Sequence, residues 1–189
     1  MKIRNGFVSN SSSSSFILVF PDEPYSVEKV KDMMFCGEDS SFSTTKHYSG
    51  KESISSEAIA GFIFGQCLAN ENQLDQIEDL VNEIYYYNDN EKYRPCDDLE
   101  ESDCNKCKIG SECPDQPNIS EKERTYLSRK LDMVRFKNAT KKVENLYEKY
   151  PGYYFYKIEC GCQSSMTSLF EEKHEEILKN IHYIKLGEL

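Results

Sequence analysis

Phe16-Ile17-Leu18-Val19-Phe20 is a continuous apolar run of five residues, stopped by Pro21-Asp22-Glu23-Pro24. Its length and its aromatic and β-branched content mark a buried strand. Two later stretches have the same character. Tyr153 to Glu159 is rich in β-formers, and Ile181 to Leu186 (IHYIKL) alternates apolar and polar faces. Helical patterns lie between these strands. Ser26 caps a helix bearing Val27, Val30, Met33 and Met34, which ends near Cys36-Gly37. The Ser/Thr-rich stretch from Glu38 to Ser56 reads as loop with room for a short strand. A helix from about Ser56 to Leu68 follows, interrupted by Gly61 and Gly65, whose spacing of four suits close helix packing. Asn70 and Gln73 resemble a capping box ahead of Leu74, Ile77, Val81 and Ile84, a helix that Tyr85-Tyr86-Tyr87 closes. Ser120 with Glu123 opens the longest helix, which carries Leu127, Leu131, Val134, Ala139, Val143, Leu146 and Tyr150 and stops at Pro151-Gly152. Ser168 caps a short helix reaching about Lys179. The pattern predicts an α+β fold: a single helix-rich domain over 1–189, its helices covering a small three-stranded sheet.

The chain has 189 residues, about the size of one ordinary domain. Its 13 Tyr and 10 Phe exclude a disordered chain despite a mean hydropathy of −0.69. Lys and Arg number 23 against 33 Asp and Glu, a net charge of −10. Broad, sequence-independent binding to nucleic acid is therefore not expected, since phosphate is repelled by the average charge. No run approaches the ~18 apolar residues of a membrane span, and Phe7-Val8 is too short for a secretory h-region. A cytoplasmic protein without membrane contact is the expectation.

A reducing compartment bears on the eight cysteines, which then read as metal ligands or buried thiols rather than four disulfides. Cys96, Cys104, Cys107 and Cys113 fall in a C-x7-C-x2-C-x5-C window within a 90–118 insert whose only aliphatic side chains are Leu99 and Ile109. Such a segment cannot build a core, and a C-x2-C turn brings two thiolates to one ion. The predicted site is a structural zinc knuckle, closed to water by four thiolates. A cysteine-bearing acidic loop and an iron–sulfur cluster are the alternatives. Cys160-Gly161-Cys162 either joins a metal site or provides two ordinary thiols at a strand end. Cys36 and Cys67, among apolar neighbours, read as buried small hydrophobes.

Arg4-Asn5-Gly6-Phe7-Val8-Ser9-Asn10 runs into Ser11-Ser12-Ser13-Ser14-Ser15-Phe16. This opening resembles a set of uncharacterised phage and bacterial proteins that begin with an R-x-G-F-V-S-N-S-S-S-S-S-F signature. The resemblance extends more weakly to the C-terminal end, where Leu169, Glu171, His174 and His182 occupy comparable places. It departs at Cys160-Gly161-Cys162, where acidic loop residues stand in the set, and at Glu188-Leu189, where a terminal His stands. The middle of the chain is not covered. The resemblance implies phage association and no established chemistry.

Ser11 to Ser15 offer N–H and hydroxyl donors to an oxyanion, with His182 near them if both ends of the chain pair as neighbouring strands. They lack the lysine and G-K-[ST] ending of a P-loop, and an extended edge segment of the sheet or a tail is the reading preferred for them. His47, His174 and His182 are the only histidines; His174, among four glutamates, reads as solvated. No hydrolase, zincin or dinucleotide motif occurs. The reading is a small acidic phage-type accessory protein with a structural zinc, acting by binding a protein partner that has a basic surface. Inhibition of a nucleic-acid-binding host enzyme is one form of this. The rival is an enzyme or binding module for a phosphate-bearing small molecule on the serine loop.

Overall fold

The computed structural model describes residues 14–44, 52–69, 72–74, 76–92, 119–161 and 165–186, with the side chains of 86–92 excepted. Strand β1, Ser14–Phe20, contains the apolar run and starts two residues before it. It lies in the middle of a three-stranded sheet between β4, Tyr154–Cys160, and β5, His182–Leu186. β1 and β4 are antiparallel, with Phe16 opposite Ile158, Leu18 opposite Tyr156 and Phe20 opposite Tyr154. Alternation sends Phe16, Leu18 and Phe20 to one face and Ile17 and Val19 to the other. All five side chains are at most 1% exposed. The mixed helix–sheet class expected from the sequence is the class observed, with five helices among the described residues.

Helices α1 (Val27–Phe35), α2 (Ser56–Cys67) and α5 (Ser165–Ile177) supply the side chains that bury the Phe16 face. Val30 and Met34, Ile59 and Ile63, and Leu169 and Phe170 join it in one cluster. Ser26 caps α1 by accepting from the Lys29 N–H at 3.1 Å, and Ser55 caps α2 by accepting from that of Ala58 at 3.2 Å. Between α1 and α2, β2 (Ser41–Thr44) and β3 (Glu52–Ser55) form a separate antiparallel pair. The Ser56 hydroxyl donates to the Glu38 carbonyl and accepts from the Ser40 N–H, tying α2 to the entry of β2.

Packing divides the chain into two compact units, the first comprising Met1–Leu74 with Tyr153–Lys185 and the second Asp75–Gly152 with Leu186–Leu189. In the second, α3 (Ile77–Lys92) packs on α4 (Glu121–Lys149). α3 buries Leu80, Val81 and Ile84, and α4 buries Ala139 and Val143. Ser120 caps α4 by accepting from the Glu123 N–H at 3.3 Å.

Five local readings change, the first being that α3 runs on to Lys92, past the Tyr85-Tyr86-Tyr87 stop. Leu74 is not in α3: Gln73 bridges Tyr156, and the Leu74 N–H donates to the Phe155 carbonyl at 2.9 Å, so the edge of β4 outcompetes the helix. α5 begins at Ser165 rather than after Ser168. Cys36 is exposed, because it sits in the left-handed C-cap of α1 at φ 55°, followed by Gly37 at φ 73°. A Cβ placed on Gly61 or Gly65 would meet nothing within 4 Å, so close packing is not what these glycines serve. Glycine inside a helix costs ~0.5–1 kcal/mol relative to alanine. Gly61→Ala/Gly65→Ala should therefore stabilise the fold by about 1–2 kcal/mol in urea titration; a destabilised double variant would contradict the open surroundings.

Candidate functional site

Ser14 and Ser15 are the first rungs of the β1–β4 ladder, opposite Cys160 and Glu159. Their backbone runs as extended strand, and consecutive strand residues face opposite sides of the sheet. These two hydroxyls therefore do not converge on one point. The strand reading of the serines holds for them, in a central rather than an edge strand. Ser11, Ser12 and Ser13 lie outside the described residues. β5 does neighbour β1, so His182 stands on the strand beside the serine-bearing one, half-buried.

His174 differs from its expected solvated place. Its ring lies 5.5 Å from that of Phe16 and 5.8 Å, edge-on, from that of Tyr183. Phe170 completes the cluster, 5.6 Å from Phe16. His174 Nδ1 is 3.0 Å from the Phe170 carbonyl oxygen. A carbonyl only accepts, so Nδ1 carries the proton in this contact. The reason lies in the helix: Lys173 leaves helical geometry at φ −137°, ψ 17°, one residue before His174. A carbonyl-anchored imidazole of this kind suits proton transfer or metal ligation. No sequence pattern signals it, because its neighbours in the chain are charged while its neighbours in space are aromatic.

Cys160 and Cys67 are buried, and desolvation pushes both thiols up to about 12; the charge of Glu171 adds to the effect at Cys160. Neither thiol is a nucleophile at neutral pH. Cys96, Cys104, Cys107, Cys113, Cys162 and His47 lie outside the described residues. Among the described residues no three His, Cys, Asp or Glu side chains are grouped as a metal site.

A second feature is electrostatic. The α1 segment exposes Asp22, Glu23, Glu28, Asp32, Glu38 and Asp39 against only Lys29 and Lys31. Lys29 pairs with Asp22 at 2.6 Å, and Lys31 pairs with Asp39 and, at 3.6 Å, with Glu57. The hydrogen bond from Lys31 holds the Asp39 carboxyl below its usual range, and Asp22 raises Lys29. Both cations of the segment are thus engaged, and the carboxylates remain in excess. Tyr25 stands among them at 70% exposure.

No family model matches the chain, and no curated protein or solved structure matches it either. Among the described residues no helix is long and apolar enough to cross a membrane. The thiol environments have a direct consequence. An unfolded thiol ionises near 9, so burial of neutral Cys67 and Cys160 stabilises the fold fully below that pH and progressively less as pH rises toward 12. With a disulfide reagent at pH 8, peptide mapping should find Cys36 modified and Cys67 and Cys160 protected until denaturant is added; equal labelling of all three would refute the burial.

Proposed function

We propose that the protein is a phage-type accessory protein that acts by binding a protein partner with a basic surface. The observation that carries this reading is Tyr25, a large exposed aromatic at the entry of α1, in a segment whose exposed carboxylates outnumber its cations. An exposed aromatic beside an excess of one charge sign is the composition of an interface hot spot, where the ring supplies affinity and the charges supply steering. A nucleic-acid-binding enzyme offers the complementary basic surface, and occupying that surface would inhibit it. A structural zinc held by Cys96, Cys104, Cys107 and Cys113 belongs to the same reading, supported by the C-x2-C pair in a segment without core residues.

The second reading, a phosphate-bearing small molecule near Ser15 and His182, is favoured by the adjacency of β1 and β5. His174 or His182 would then be the acid–base group, and the donors would have to come from Ser11 to Ser13 as well as the strand.

A partner recovered on immobilised protein at low salt should bind the Tyr25→Ala variant with a loss of ~2 kcal/mol, about thirtyfold. Glu28→Lys/Asp32→Lys should slow its association and flatten its salt dependence. Binding unaffected by both variants would sink the acidic face, and a melting shift with a phosphate compound, lost in Ser15→Ala, would favour the second reading. Elemental analysis should find one zinc per chain, lost in Cys104→Ser/Cys107→Ser. A wild type purified metal-free would remove the zinc from the account.

A further inference from the structure

The net charge of −10 is an average over two very different compositions. Within the described residues of the sheet-bearing unit, Asp and Glu outnumber Lys and Arg thirteen to six. Over α4 the balance reverses, nine Lys and Arg against five Asp and Glu, and between Arg124 and Lys142 seven stand against Asp132 alone; α3 beside it exposes Glu78 and Asp79. Charges beyond ~10 Å are screened at 0.1 M salt, so a ligand on α4 meets the local charge and not the average.

The cations share a helix face with apolar side chains. At 3.6 residues per turn, Tyr126, Arg129, Met133, Phe136, Lys137 and Lys141 fall within roughly 140° of arc and span about 22 Å. All six are exposed, Tyr126 at 65% and Phe136 at 48%. The stripe ends where Glu144 follows Lys142. Its middle opens on a pocket of about 470 Å³ between α3 and α4, floored by Tyr85, Met133 and Phe136 and flanked by Lys137, with Asn82 and Asp132 as its neutral and anionic hydrogen-bonding groups. The Tyr85 and Phe136 rings meet edge-on there at 6.0 Å.

We propose that this face of the α3–α4 pair binds single-stranded nucleic acid. Phosphates follow Arg129, Lys137 and Lys141, a base enters the Tyr85–Phe136 pocket, and Tyr126 stacks on another. Alternation of cations with exposed aromatic rings is the composition that single strands require, because every base presents a π-face and every linkage a charge. An acidic protein partner could use the same cations and rings, and the competition measurement below separates it from a strand. The proposal stands on a different element from the acidic face of α1 and does not depend on it.

Fluorescence anisotropy of labelled 12-nucleotide DNA and RNA strands tests it on the full chain. Wild type should bind, and Arg129→Gln/Lys137→Gln/Lys141→Gln should bind at least about tenfold more weakly, with a log–log salt slope shallower by about 2. Tyr126→Ala should weaken binding about tenfold without changing that slope. Tyr126 is mostly solvent-exposed, so a melting curve matching wild type separates stacking from folding. Absence of binding up to about 100 μM protein in low salt overturns the proposal. So does polyglutamate competing as well as the strands with Tyr126→Ala without effect, which would assign the face to an acidic protein.

Discussion

β1 has no solvent-facing side, and this constraint organises everything around it. Its five apolar side chains from Phe16 to Phe20 are buried on both faces, and each edge of the strand has a neighbour. Burying them stabilises the fold by ~1.5–3 kcal/mol each, as an upper bound. Their sum is on the order of 10 kcal/mol, the scale of a whole domain's net stability. Such a strand also has backbone donors and acceptors that water cannot reach, so it must be paired. β4 supplies that pairing along one edge and β5 stands along the other; α1, α2 and α5 bring the apolar cover for the Phe16 face.

The sites follow from that arrangement. Because β1 is central, Ser14 and Ser15 are drawn into the ladder, and the end of the chain that carries His182 is brought beside its beginning. Because Phe16 needs cover, α5 lies over it, and the break at Lys173 seats the His174 ring against Phe16 and Tyr183. Charge is then distributed by element rather than evenly. Exposed carboxylates outnumber cations along α1 and its flanks, where Tyr25 is exposed, and cations outnumber carboxylates along α4, where Tyr126 and Phe136 are exposed.

Features fixed by local chemistry were legible in the sequence. A five-residue aromatic and β-branched run stopped by Pro21 identified β1, and Ser26 and Ser120 announced their helices because each cap is a hydrogen bond across three residues. Features fixed by distant partners were not. Leu74 fits the helical period of Ile77, Val81 and Ile84, yet its N–H belongs to Phe155, some eighty residues on. The β2–β3 pair has one buried apolar couple, Phe42 and Ile54, within a run of serines that looks like loop. His174 sits in the charged run Glu171 to Glu176 along the chain, and only the fold shows its aromatic setting. Whole-chain charge hid the basic stripe of α4 for the same reason: a sum carries no position.

The most direct test of this account is native-state hydrogen exchange resolved to single amides. If β1 is the strand on which the fold depends, the amides of Phe16 to Phe20 exchange only through global unfolding and rank among the slowest of the described residues. Exchange there as fast as in Ser41–Thr44 of β2, while α1 and α5 stay protected, would show that the helices hold together without β1.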